Sequence, residues 1–234
     1  MQKQIKGVLF DKDGTLFEYG DTWQVWSERV VDELAAGEQV LRDQLAQSVG
    51  YCFQSKRFSP GSLVVNASSN EIIEAWAMHL PHLSAAEIEQ VGIRHLGGLP
   101  LNPVCDLAQL ANALRQMGLA VGCGTNDYES SAREQLGRAG VLQHFDFVCG
   151  FDSGHGAKPG PGMLLAFAEH IGAQPSELVM VGDSTHDLHS GEAAGVALNI
   201  GVLTGPARRE DIASSADEVL PSVASLPDWL LSNT

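Results

Sequence analysis

What most constrains this chain is a rhythm of short apolar runs. Ile5–Phe10, Leu119–Gly124, Phe145–Cys149, Leu178–Gly182, Val196–Gly201 and Glu218–Leu220 are each of strand length. Between the later runs lie helical patterns, roughly Val104–Met117, Ser130–Arg138, Pro161–Ile171 and Asp187–Ala194. Strand and helix alternating in this way predict right-handed β-α-β crossovers. The expected fold class is therefore α/β, a Rossmann-like parallel sheet with helices on both faces.

The stretch 18–99 breaks the rhythm. It reads as helices at Thr22–Ala36, Glu38–Val49, Asn70–His79 and Ser84–Leu96. Asp21-Thr22 and the Ser84-x-x-Glu87 spacing supply helix starts. Gln54–Ser69, with "SKRFSPGS", has the composition of a loop, and "GGLPLNP" at 97–103 that of a linker. The expected organisation is a core of 1–17 and 100–234 with an all-helical domain, 18–99, inserted directly after the first strand. Trp23 and Trp26, at the start of that insertion, are expected to pack in its core.

Charge narrows the choice of partners. The chain of 234 residues has 14 basic and 29 acidic residues, a formal net charge of −15. Nucleic acids and anionic membranes need basic patches, so neither is expected as a partner. The four cysteines include no C-x-x-C pair, which predicts reduced thiols and no zinc site. Lys3 and Lys6 interrupt the first ten residues, so no leader peptide is expected and the chain reads as cytoplasmic.

Four segments end in polar residues at the carboxyl end of a predicted strand, the edge where open α/β sheets bind ligands. "GVLFDKDGTLFE" carries Asp11, Asp13 and Gly14; "LAVGCGTND" carries Thr125 and Asn126. Lys158 lies in the glycine-rich "GFDSGHGAKPGPG", and "VMVGDSTHDLHSG" carries Asp183 and Asp187. Singly, these are ordinary helix caps, turns and loop lysines. Together, in this order, they gather acids that would be costly to bury idle, so either the site is open to solvent or something cationic sits there. Lys12, at the odd position between two acids, should point the other way. His186 and His189 have helical spacing but no third soft ligand, and they read as surface residues.

"DKDGT", "TN", "KPGP" and "GDSTHD" resemble the four motifs of the haloacid dehalogenase (HAD) superfamily, in their usual order. The insertion resembles that superfamily's C1 cap, and the chain is most similar to phosphoglycolate phosphatase-like members. The resemblance implies a Mg²⁺-dependent phosphatase acting on a small phosphorylated metabolite. Asp11 would be the nucleophile and Asp13 the general acid and base. Lys158 would serve catalysis and, with Gly14, Thr125 and Asn126, would hold the phosphoryl group. Asp11, the main-chain carbonyl of Asp13, Asp183 and Asp187 would hold the metal.

Many relatives carry an apolar residue where this chain has Lys12, which makes the packing behind that strand the point of departure. Lys56 and Arg57, in the loop of the insertion, are candidates for reading a substrate carboxylate. The rivals are a β-phosphoglucomutase-like mutase, which shares the motifs, and a non-catalytic phosphate-binding regulatory protein. A dehalogenase has no use for Asp13, because a departing halide needs no proton. A monomer and a homodimer are both compatible with the sequence.

Overall fold

The computed structural model describes residues 4–59, 61–67 and 69–233. The chain divides into two compact units, one reaching to Tyr19 and resuming at Asn102, the other spanning Gly20–Leu101. Its strands are β1 Gly7–Phe10, β2 Tyr51–Cys52, β3 Arg57–Phe58, β4 Ala120–Gly124, β5 Phe147–Cys149, β6 Leu178–Gly182, β7 Leu198–Val202 and β8 Glu218–Leu220.

The first unit holds a six-stranded sheet in the order β5-β4-β1-β6-β7-β8. Every neighbouring pair in it is parallel. β1 is buried along its whole length, as are β6 and β7, which explains why these strands read as continuous apolar runs. Leu9, Leu178 and Met180 pack against Met163, Leu164 and Phe167 of the helix Gly162–His170 on one face.

Register is what matters for chemistry. Phe10 pairs with Cys123 on one side and Val181 on the other. The residues that follow, Asp11, Thr125 and Asp183, therefore leave three adjacent strands at one edge. The chain visits β4 and β5 on one side of β1, then crosses to β6 on the other, so this edge is also where the winding reverses.

The second unit is predominantly helical. Helix Tyr19–Ala35 leads into it, followed by Gln39–Ser48, Leu63–Asn66, Ser69–Ala77 and Ala85–Arg94. Trp26 and Trp76 stack with ring centroids 5.7 Å apart, and both indole N–H groups donate to main-chain carbonyls, Gly92 at 3.0 Å and Leu45 at 3.1 Å. A ring so placed buries its apolar body and still satisfies its polar atom. Ser84 and Glu87 form the expected capping box.

Three local readings change. The first helix starts at Tyr19 instead of at the Asp21-Thr22 signal, and the Thr22 hydroxyl donates to the Pro100 carbonyl at 2.7 Å instead of capping. The stretch read as loop contains an antiparallel β2–β3 hairpin and the short helix Leu63–Asn66. Pro60 and Ser68 of that stretch lie outside the described residues, as does Lys3 of the leader argument. No helix among the described residues is long and apolar enough to cross a membrane.

Within the first unit the chain segments on either side of the insertion are stitched together. Glu18 N–H donates to the Asn102 carbonyl at 2.8 Å, Val104 N–H donates to Leu16 at 3.0 Å, and Phe17 bridges antiparallel to Pro103.

Candidate active site

Asp11 sits one residue past β1, its N–H donating to the Val181 carbonyl at 2.8 Å. The backbone is thus held by the sheet while the buried carboxylate stands at the edge. The Lys158 ammonium lies 2.5 Å from Asp11 Oδ1 and 2.6 Å from Asp187 Oδ1. Lys158 is in turn fixed by Asn126, whose Nδ2 donates to the Lys158 carbonyl at 3.0 Å while its Oδ1 accepts the Lys158 N–H at 2.8 Å. The third motif is thereby tied to the second.

Asp187 divides its two oxygens between structure and site. Oδ2 accepts from Ser184 N–H at 3.0 Å and Ser184 Oγ at 2.6 Å, closing the capping box of helix Thr185–Ala194. Oδ1 is the oxygen that meets Lys158. Asp183, at the end of β6, accepts from the Thr15 hydroxyl at 3.3 Å. Two glycines wall it in: a Cβ on Gly14 would lie 2.5 Å from Asp183 Oδ2, and one on Gly205 only 1.7 Å away. Gly14 also has φ +90°, a conformation that L side chains rarely adopt.

Burial raises the Asp11 carboxyl from 3.8 to about 7 against the pull of Lys158, with Asp187 and Asp13 adding to the rise. Burial likewise pushes Asp183 well above the ordinary range, helped by Asp11 and Asp187. Burial opposes the charge on Lys158, but Asp11 and Asp187 outweigh it and hold the ammonium protonated. Three carboxylates share one ammonium here, so positive charge is in deficit. Asp11, Asp183 and Asp187 each offer an oxygen within 4.8 Å of the others, all buried. Hard oxygen donors so grouped fit a small divalent cation.

Thr125 is buried beside them, its Oγ accepting the Asp127 N–H at 3.1 Å, which leaves its own proton to donate. Both ends of the Asn126 side chain engage Lys158, so toward a ligand it offers its N–H and one remaining Nδ2 hydrogen. The Asp13 carboxylate stands outside the three-acid group; its Oδ2 lies 2.7 Å from the Lys12 ammonium. Lys12, two residues past β1, is expected from alternation to point away from both acids. Instead its wholly buried ammonium meets Asp13 at 2.7 Å and Asp127 at 3.1 Å, because a long side chain can bend back to a carboxylate whatever the alternation of the backbone.

Lys56 and Arg57 lie at the β2–β3 hairpin of the second unit, with Lys56 Nζ 3.6 Å from Glu28 and its side chain 68% exposed. His189 lies 3.3 Å from the Ser215 hydroxyl, away from the acids.

Two residues of the site went unread. Thr204, after β7, donates from its hydroxyl to the Gly14 carbonyl at 2.7 Å, and Gly205 presses on Asp183. Their segment carries no acid or lysine at the strand end, so nothing marked it.

Known proteins resemble this chain in sequence and in fold. The chain is 36% identical over 230 residues to a phosphoglycolate phosphatase of Rhodospirillum rubrum, covering 96% of this chain and 90% of that protein. A HAD phosphatase structure from Thermococcus onnurineus superposes with a TM-score of 0.68 at 22% identity, covering 97% of this chain and 98% of that one. A β-phosphoglucomutase from Clostridium difficile superposes with a TM-score of 0.69 at 13% identity, over 98% and 96%. Likeness at such low identity shows a shared fold and does not separate phosphatase from mutase. The family model for haloacid dehalogenase-like hydrolases matches residues 5–195, a span that includes all four strand-end motifs. With its acids, lysine and sheet order arranged as described, the chain belongs to the haloacid dehalogenase-like hydrolases.

Proposed function

We propose that this phosphatase hydrolyses a small organic phosphomonoester of the phosphoglycolate type, using Mg²⁺ and an aspartyl-phosphate on Asp11. The observation that carries the reading is the Asp11 carboxylate 2.5 Å from the Lys158 ammonium, within a buried group of three acids. The curated relative from Rhodospirillum rubrum, named a phosphoglycolate phosphatase, supports the substrate class.

In this reading Asp11 attacks phosphorus while the bond to the leaving oxygen breaks, and Asp13 gives that oxygen its proton. Asp13 then takes a proton from water, whose oxygen attacks the same phosphorus and releases Asp11 as a carboxylate. Splitting hydrolysis in two gives each step an oriented nucleophile. Lys158 and the Thr125 hydroxyl stabilise the phosphoryl oxygens, joined by Asn126 and by main-chain N–H groups after Asp11 other than that of Gly14, which donates to the Phe17 carbonyl at 2.7 Å. Asp11, the Asp13 carbonyl, Asp183 and Asp187 would hold Mg²⁺. When bound, it supplies the positive charge that lets one anion approach another. Lys56 and Arg57 are our candidates for reading an anionic substrate tail.

The test is product analysis. With 2-phosphoglycolate and Mg²⁺, free phosphate should appear in step with substrate loss, and Asp11→Asn should abolish it in a folded protein. Turnover of a sugar phosphate to its isomer without phosphate release would favour the mutase. No turnover across a panel of phosphate esters would favour a binding role.

A further inference from the structure

Lys12 and Lys158 are the buried lysines among the described residues, and the proposed reaction uses only Lys158. An apolar side chain at position 12 would be buried without the desolvation that an ammonium suffers there. Instead the Lys12 ammonium meets three acceptors: Asp13 Oδ2 at 2.7 Å, Gln135 Oε1 at 2.7 Å and Asp127 Oδ2 at 3.1 Å. Three acceptors match the three hydrogens it carries.

The far side of this contact is itself hydrogen-bonded. Asp127 accepts from the Ser131 hydroxyl and from Tyr128 N–H, both at 2.7 Å, and the Gln135 amide donates to Ser131 at 3.2 Å. Ser131 and Gln135 stand one turn apart on helix Glu129–Arg138, whose first turn follows the second motif. A cation anchored to a helix on one side thus grips one oxygen of Asp13 on the other. A carboxyl held by one oxygen cannot turn about its last bond, so the other oxygen keeps a fixed direction.

We propose that Lys12 is a positioning residue for Asp13, holding its Oδ2 so that the remaining oxygen faces the leaving group and then the attacking water. The proposal rests on the reading of Asp13 as acid and base. It differs from a role for Lys12 as mere counter-charge to Asp127, which would leave the proton transfers untouched.

Leaving groups separate the two roles. An alkyl ester such as 2-phosphoglycolate needs its leaving oxygen protonated, whereas p-nitrophenolate departs without help. In single-turnover rapid-quench experiments, Lys12→Met should slow phosphoryl transfer from 2-phosphoglycolate about ten- to a hundredfold. Transfer from p-nitrophenyl phosphate should change by less than about threefold, and phosphoenzyme should accumulate because its hydrolysis still needs a base. Equal losses on both substrates, or no loss on either, would overturn the proposal.

Should Lys12→Met fail to fold, Gln135→Leu removes one anchor without stranding a charge. It should give the same leaving-group split in weaker form, and a uniform effect would overturn the proposal equally. Asp13→Asn, run alongside, separates this idea from the one beneath it. A leaving-group split in Asp13→Asn without one in the Lys12 variant defeats only Lys12's role; its absence from Asp13→Asn defeats both.

Discussion

Asn126 and Lys158 clasp each other twice, side-chain amide to main chain, at 3.0 and 2.8 Å. This brings the Lys158 ammonium to Asp11 from a loop that follows β5, across a neighbouring strand. The lysine owes its position to a residue that a motif reading would assign to the phosphate alone.

Graded losses should follow from that clasp. Lys158→Met removes the charge itself and should lower kcat roughly a hundred- to a thousandfold, the size expected for losing one strong transition-state donor. Asn126→Ala leaves the ammonium present but unfixed and should cost about tenfold. Steady-state assays with 2-phosphoglycolate check the order; an Asn126→Ala loss as large as that of Lys158→Met would make its side-chain contact with the phosphoryl group, and not its hold on Lys158, the larger part of its role.

Cation binding should depend on pH with a definite sign. Asp11 titrates at 3.8 when unfolded and near 7 in the cation-free fold, chiefly because it is buried. Folding therefore takes up a proton between those values, and the cation-free protein loses stability as pH rises through that window. A bound Mg²⁺ competes with that proton. The Mg²⁺-induced rise in Tm should be larger near about pH 8 than near about pH 5.5. Thermal denaturation with and without Mg²⁺ at both values measures it, and an equal rise would remove Asp11 from the ligands.

Gly205→Ala is a steric probe of Asp183. The added Cβ would lie 1.7 Å from Asp183 Oδ2 and 2.7 Å from Asp183 Cβ, so the carboxylate must turn and the main chain at one of the two residues must shift with it. The Mg²⁺ concentration giving half-maximal activity should rise about ten- to a hundredfold, as for other changes that misorient a metal ligand. Restoration of activity at high Mg²⁺ would show that the fold survives.

Specificity should be separable from chemistry. If Arg57 reads a carboxylate tail, Arg57→Ala should lower kcat/KM for 2-phosphoglycolate by about ten- to a hundredfold, the worth of one charge-assisted hydrogen bond. Turnover of p-nitrophenyl phosphate, which has no such tail, should hold. Equal losses would point to stability of the inserted unit.

Much of this was legible in the primary structure because strands buried on both faces advertise themselves. "LAVGCG" and "LVMVG" are apolar without alternation, and each hands over to a polar residue at the edge that reacts. The β2–β3 hairpin was not legible: two-residue strands have no measurable period, and the Gly, Pro and Ser around them signal a loop. Alternation set Lys12 apart from its two acidic neighbours, whereas its ammonium bends back to Asp13. It could not give Asp127 or Gln135 as partners, because they lie more than a hundred residues away and pairing at that range is a property of the sheet order. Thr204 and Gly205 were silent for a similar reason, since a hydroxyl and a missing side chain carry no chemical signature until Asp183 stands beside them.

The stitched seam at Glu18 and Asn102 bears on how such a chain can change over time. Because the segments entering and leaving the insertion are paired with each other, everything from Gly20 to Leu101 is a detour whose two ends are already joined. Lengthening, trimming or exchanging that detour alters the sequence distance between Asp13 and Asp183 but the register of no strand in the six-stranded sheet, so the reacting acids keep their places at its edge. Variation can therefore accumulate in one stretch of gene while the reaction is conserved in another, and a graft made between those two residues is the natural unit of recombination.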